Sequence, residues 1–403
     1  MSRFLFVILP LPGHINPAAA VARNLAEHGH EVAWVGSEAR FRPLIGPDAA
    51  MFPTGMRPYR GQADTGMTSV KSLWESFVVP FARFILPVVE KAVANYQPDV
   101  LVVDQHALAG VLAAERHGLP WVTLASSSLE IAQPFSKMPK VQAWISGLMA
   151  KLWAEAGLPA GAMPDLRFSP HLVIAFTARA MTGELVFPEH FALVGPALSG
   201  RPAGPDFPWD WLDPDRRHVL VTVGTMAENN ATDSTNFYAR AVGALRPLGD
   251  RVQGIVIGPP DVIPDPPEHI VVASRVPLLE LMPRLDAVVC HGGLNTVCEA
   301  LSCGVPLVIA PLTRDQPINA AQVVAAGAGI RVKFGRVSPD QLRTAVLSVL
   351  DDPRFRVAAR RLAEAFAAAG GAAEAARRIE LLLDAMPEAD QDEPTAARNG
   401  GGG

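Results

Sequence analysis

Twice along its 403 residues this chain alternates short β-type apolar runs with helical patterns, and a proline-rich stretch separates the two series. The first series places strands at Phe4 to Pro10, Glu31 to Val35, Asp99 to Asp104, Pro120 to Ala125 and His171 to Phe176, with helices near Pro17 to His28 and His106 to His117. The second places strands at His218 to Val223, Val252 to Ile257, His269 to Ser274, Asp286 to Cys290, Leu307 to Ala310 and Gly329 to Val332. Such alternation points to parallel sheets, because each strand reaches its neighbour through a crossover helix. The length exceeds what one ordinary core fills, so two doubly wound, Rossmann-like α/β domains are expected. They span residues 1–195 and 218–383, joined by a linker at 196–217 that carries five prolines among small and polar residues. Residues 384–403 mix acidic residues with Pro, Asn and terminal glycines and read as a disordered tail.

The loop after the first strand carries the residue that bears most directly on chemistry. There the apolar run ends in Pro10-Leu11-Pro12-Gly13-His14, and Asn16-Pro17 reads as an N-cap followed by proline at the first helical position. His14 thus stands near a helix N-terminus, whose positive dipole end opposes protonation and favours the neutral ring that can take a proton. A loop histidine that only caps or packs is the competing reading. Asp104 ends a strand in the same half, and its carboxylate can bond the second ring nitrogen, fix the tautomer and stabilise an imidazolium. As the last residue of a strand it equally suits a cap on the next helix.

In the second half the strand Asp286 to Cys290 runs into His291-Gly292-Gly293-Leu294-Asn295-Thr296 and opens a helix. The glycines let the backbone approach a ligand, and the free N–H groups at 294–296 point with the helix dipole at an anion such as a diphosphate. His291 can add a donor there. Thr296 and Glu299 also fit a capping box. A further strand end sets Asp315 beside Gln316, a carboxylate and an amide that together accept from and donate to adjacent sugar hydroxyls, with Asp315 as a plain N-cap the alternative. The stretches Met56 to Ala94 and Ser126 to Phe168 leave the regular alternation and are rich in Met, Phe and Trp. Trp74, Phe77, Phe84, Phe135, Trp144 and Met149 are candidates to line an apolar ligand cavity, and each also fits the buried face of an amphipathic helix.

With 19% charged residues and a net charge of −5, the chain lacks the excess of Lys and Arg that a nucleic-acid partner requires. The N-terminal apolar run is too short to span a bilayer and lacks a cleavage site, so neither stable membrane insertion nor export is expected, and the location expected is cytoplasmic. Cys290, Cys298 and Cys303 lack metal-site spacing and read as reduced thiols.

With these residues placed, the chain resembles the family-1 glycosyltransferases of the GT-B fold, which include plant and bacterial small-molecule glucosyltransferases. The likeness runs over nearly the whole chain. It is densest from Arg275 to Gln316, with the His-x-Gly element at His291 to Gly293, Glu299 and the Asp315-Gln316 pair, and Pro12 to Pro17 matches the family's catalytic-base segment. The resemblance implies an N-terminal acceptor domain facing a C-terminal nucleotide-sugar domain across a cleft, with the last helix packing back on the first. It implies that His14 deprotonates the acceptor and Asp104 orients His14. His291, Gly293, Asn295 and Thr296 would hold the diphosphate, Glu299 the ribose, and Asp315 with Gln316 the hexose. Gly224 and Thr225 would approach the donor phosphates from beneath. Where many relatives have Trp-Val-Pro-Gln, this chain has Arg275-Val276-Pro277-Leu278. An aromatic plane for the base is therefore missing, while an Arg275 guanidinium can stack on a pyrimidine and the Val276 backbone can read its edge.

The expected activity is inverting transfer of a hexose, glucose from UDP by preference, to a hydroxyl of a small lipophilic acceptor such as a natural product. No metal or other cofactor is expected, since no carboxylate cluster resembles a magnesium site. The partners expected are the two small-molecule substrates, and the protein is expected to be a monomer or homodimer. A dTDP-deoxysugar transferase of an antibiotic pathway, a nucleotide-sugar epimerase and a non-catalytic nucleotide-sugar-binding partner protein are the alternatives.

Overall fold

A computed structural model describes residues 1–55, 66–224 and 231–385. Two sheets form, and every strand pair in them is parallel. The first holds β1 (Arg3–Val7), β2 (Glu31–Gly36), β3 (Ala50–Pro53), β4 (Val100–Asp104), β5 (Trp121–Ala125), β6 (Val173–Ala175) and β7 (Phe191–Leu193), in the order β3-β2-β1-β4-β5-β6-β7. The second holds β8 (Arg217–Thr222), β9 (Val252–Ile257), β10 (Ile270–Ala273), β11 (Ala287–Cys290), β12 (Leu307–Ile309) and β13 (Gly329–Arg331), in the order β10-β9-β8-β11-β12-β13. The α/β class and the two Rossmann-like sheets are therefore as the alternation indicates.

Helices cover both faces of each sheet, which is why the strands are apolar runs rather than alternating ones. Leu5, Val7, Leu101 and Val103 enter one core layer of the first sheet, and Phe4, Phe6, Val100 and Val102 enter the other. In the second sheet Leu220 and Val288 face one layer, and Val219, Val221 and Val289 the other. β3 and β7 were not expected from the sequence. Both are short edge strands with incomplete burial, so neither carries a continuous apolar signature.

The order of strands reverses between β1 and β4 in the first sheet and between β8 and β11 in the second. At such a switch point the connections after the two neighbouring strands leave toward opposite faces and open a crevice at their carboxyl ends. His14 follows β1 and Asp104 ends β4; Gly224 follows β8 and His291 follows β11. Both candidate pairs thus lie where the topology makes room.

One expected boundary is corrected. The first helix spans Pro12–Glu27 with Leu11 as N-cap, so Asn16-Pro17 is not its start and Pro17 lies inside it. Pro12 takes the first helical position, where a missing N–H is harmless, and that suffices to begin the helix five residues earlier than the Asn-Pro signal indicates.

The stretch 196–217 is docked rather than free. Phe207 is buried beside Val276, the Arg284 guanidinium lies 4.6 Å from the centre of the Trp209 ring, and a Cβ on Gly204 would meet Pro277 Cα at 2.4 Å. The last described helix, Gly371–Ala385, returns to the first domain, where Ala372, Ala375, Ala376 and Ile379 join the core containing Ile15, Val21 and Leu25. Ala385 closes that helix, and the remainder of the tail read as disordered, 386–403, lies outside the described residues. Because Ile379 is fully buried at this seam, Ile379→Ala is expected to lower the stability of the first domain by about 2–5 kcal/mol in denaturant unfolding.

Candidate active site

The first helix begins right after the Leu9-Pro10-Leu11 turn, which makes His14 its third residue. From there Nδ1 lies 2.6 Å from Oδ2 of Asp104, whose carboxylate is fully buried. The other oxygen, Oδ1, accepts from the His106 backbone N–H at 3.0 Å. Burial pushes the Asp104 carboxyl up, but the hydrogen bond and charge of His14, together with His106, outweigh it and hold the group below its ordinary value. Asp104 is then an acceptor only, so His14 Nδ1 carries the proton between them, and in the neutral ring Nε2 holds the lone pair. That is the tautomer a general base needs. The following helix begins at Ala109 with Leu108 as N-cap, so Asp104 does not cap it, and its bond to the part-buried His14 ring joins the two side chains.

Across the cleft the helix Leu294–Ser302 starts with Gly293 as N-cap and no side-chain cap, leaving its first backbone donors to a ligand. Thr296 sits inside the first turn, so the capping-box reading of Thr296 and Glu299 is not realised. The His291 ring is clasped between two glycines: a Cβ on Gly224 would lie 2.5 Å from its Cε1, and one on Gly293 2.6 Å from its Nε2. Gly224 also holds φ at 66°, which disfavours any side chain. Among the described residues Nδ1 of His291 is buried with no protein partner, and burial pushes the ring down to about 4, so it is neutral near pH 7 and offers one N–H. Thr225 lies outside the described residues.

Other expected donor residues hold arrangements that sequence reasoning missed. Glu299 is buried and pairs through Oε1 with Arg201 of the interdomain stretch, while its Oε2 has no protein partner among the described residues. Gln316 is buried and spends its side-chain oxygen on the backbone N–H groups of Leu312 and Thr313, at 2.8 and 3.0 Å, closing its own loop. Asp315 makes no side-chain cap. Instead its Oδ2 accepts from Asn319 Nδ2 at 3.3 Å, and burial raises its carboxyl against the pull of Asn319, His14 and Arg314, so His14 and Asp315 are close enough to interact across the cleft. Arg275 is exposed and Val276 is buried.

Side-chain bonds at two asparagines help bring the halves together. Asn295 Nδ2 donates to the Gly13 carbonyl at 3.2 Å, and the Ser128 hydroxyl donates to Asn319 Oδ1 at 2.5 Å. Asn319 also donates to the Gly292 carbonyl at 2.8 Å, linking diphosphate loop, sugar residue and acceptor domain. Asn319 stands one helical turn beyond Asp315, a spacing that could have drawn attention to it.

The aromatic candidates divide. Trp74, Phe77, Phe135 and Met149 are buried in the first core and Trp144 packs partly against it, so plain core packing accounts for these five. Phe84 is exposed on its helix. The Trp74 ring lies 6.1 Å from that of His106, which in turn lies 6.5 Å from His14. Behind His106 lies buried Glu130, 3.5 Å from its Nε2 and 2.7 Å from Arg167. Burial pushes the Glu130 carboxyl up, and these two partners outweigh it. This chain of charge has no local spacing signal, because its members come from separate connections. All three cysteines are free, and burial pushes the Cys290 thiol up to about 12, away from thiolate chemistry.

Two parallel-sheet domains with a histidine–aspartate pair on one side and an uncapped glycine-flanked helix on the other define a GT-B transferase architecture. Residues 259–382 match the family model described as Erythromycin biosynthesis protein CIII-like, C-terminal domain. The chain is 30% identical over 431 residues to 4'-demethylrebeccamycin synthase of Lentzea aerocolonigenes, covering 95% of this chain and 100% of that one. It is 29% identical over 398 residues to the NDP-glycosyltransferase YjiC of Bacillus subtilis strain 168, covering 94% and 97%. The solved structure of the spinosyn rhamnosyltransferase SpnG with thymidine diphosphate superposes with a TM-score of 0.75 at 25% identity, covering 94% of this chain and 100% of that one. The chain belongs to the family-1 GT-B glycosyltransferases of the natural-product type, and it is a glycosyltransferase. Among the described residues no helix is long and apolar enough to cross a membrane.

A histidine whose folded value lies near 4 against an ordinary 6.5 leaves the unfolded chain with more bound protons between those limits. Stability from His291 is therefore present above pH 6.5 and lost as pH falls toward 4, by up to about 3 kcal/mol. Urea unfolding across that range is expected to show the loss, and His291→Gln to flatten it.

Proposed function

We propose that this glycosyltransferase moves a hexose from a nucleoside diphosphate to a hydroxyl of a small lipophilic natural product, with inversion at the anomeric carbon and without a metal ion or other cofactor. The observation that carries the reading is the His14–Asp104 pair, set at 2.6 Å at the switch point of the first sheet. His14 Nε2 takes the acceptor's hydroxyl proton as its oxygen attacks the anomeric carbon. The carbon–oxygen bond to the diphosphate breaks on the opposite face, and the nucleoside diphosphate leaves.

Asp104 keeps Nδ1 protonated and stabilises the imidazolium that forms. The uncapped donors of the helix Leu294–Ser302, with the neutral His291 ring, meet the charge that develops on the leaving diphosphate. Glu299 holds the ribose hydroxyls after releasing Arg201, and Asp315 orients the hexose while Gln316 keeps the loop around it closed. Arg275, being exposed, is free to stack on the base, and the adjacent Val276 backbone reads its edge.

A UDP-hexose, glucose foremost, is the donor proposed. A dTDP-linked deoxysugar is the second reading, favoured by the likeness to SpnG with thymidine diphosphate and by the demethyllactenocin mycarosyltransferase among the relatives. Both donors are to be offered with flavonoid, macrolide and aromatic polyketide acceptors, and products read by mass spectrometry. His14→Ala is expected to lower kcat about 10²- to 10⁴-fold while leaving the nucleotide dissociation constant unchanged. Near-normal turnover in that variant removes His14 from the chemistry. Tight nucleotide binding with no transfer to any acceptor favours a binding protein instead.

A further inference from the structure

Pro17 lies inside the first helix, as its sixth residue. A proline there has no N–H to give to the carbonyl four residues back, which is Gly13. The Gly13 carbonyl is not left idle. Asn295 Nδ2, from the first turn of the helix whose N-terminus faces the diphosphate site, donates to it at 3.2 Å. A Cβ on Gly13 would sit 3.9 Å from that same nitrogen, in ordinary contact with it. Gly13 is joined directly to His14, whose ring is already tied to Asp104.

We propose that Pro17 and Asn295 form a latch that couples seating of the donor diphosphate to the position of the catalytic base: Pro17 vacates the Gly13 carbonyl, and Asn295 occupies it. An amide nitrogen carries two N–H groups. One holds the base loop, and the second remains for a diphosphate oxygen, so a single side chain senses both halves of the reaction. Another interdomain bond, Ser128 to Asn319, is made one strand away and keeps the Asp315 side in step. Pro17 is a positioning residue, acting through Gly13 rather than on substrate. The proposal rests on the reading of His14 as base and of the helix Leu294–Ser302 as the diphosphate site.

Pro17→Ala restores the N–H that competes for Gly13 and removes an interior proline from a helix, so a purely structural role makes the variant no worse than wild type. The latch makes it a slower enzyme. Expected is a fall in kcat of about 10-fold or more, with the dissociation constants for UDP and dTDP raised because the coupling is reciprocal, and a melting temperature no lower than wild type. In an Asn295→Ala background the same substitution is expected to add nothing further to the loss.

Hydrogen–deuterium exchange gives a readout that does not depend on turnover. Adding UDP or dTDP is expected to protect residues 11–18 in the wild type, and to leave them unprotected in Pro17→Ala and in Asn295→Ala at nucleotide saturation. Wild-type kcat in Pro17→Ala, an effect of Pro17→Ala that persists without Asn295, or protection of residues 11–18 that survives either substitution overturns the latch. Protection without sugar transfer by the wild-type protein leaves the latch standing and defeats the catalytic reading instead.

Discussion

The hydrogen bond between His14 and Asp104 ties together the two strands on either side of the first switch point, and the cleft is organised around it. A carboxylate with no exposure is unfavourable unless both oxygens are engaged. Oδ2 is engaged by the His14 ring and Oδ1 by the His106 backbone, so the aspartate is satisfied only while the first helix begins where it does. Moving that helix start to Asn16 would carry His14 out of the helix and leave the carboxylate half bonded. The Pro12 start, the tight turn after β4 and the tautomer of the ring are in this sense one constraint.

The second domain repeats the topological device with different chemistry. At its switch point the His291 ring is held between Gly224 and Gly293, packed so closely that neither position has room for a Cβ. That packing excludes water from the ring and keeps it neutral, a donor for an anion rather than a competing cation. The two domains thus present a proton acceptor and a set of anion donors to a shared space. Asn295 and Asn319 close it by bonds from side-chain amides and a hydroxyl rather than by apolar packing alone.

Much of the fold was legible in the sequence because parallel strands buried on both faces must be apolar throughout, and β1, β4, β8, β9 and β11 carry that mark. The edge strands β3 and β7 do not, since an edge needs no such run. Local signals misled at Asn16-Pro17, where a cap-like dipeptide lies inside a helix already begun by Pro12. Gly224, His291 and Gly293 were legible because glycine and histidine at strand ends are informative one residue at a time. Arg201 on Glu299, Asn319 on Gly292 and Glu130 behind His106 were not, because each pairing joins residues far apart in the chain and leaves no spacing to read. Gln316 shows the same limit from the other side: its type suits a sugar, and its oxygen is spent on its own loop.

The central claim is that Asp104 holds His14 with Nδ1 protonated and Nε2 free to accept a proton. Nitrogen-15 NMR of the His14 ring, recorded at alkaline pH where imidazoles are neutral and assigned by comparison with His14→Ala, reads this directly. The account predicts a protonated Nδ1 and a bare Nε2 in the wild type, with that preference lost in Asp104→Ala. A ring protonated at Nε2, or a tautomer indifferent to loss of Asp104, would contradict it.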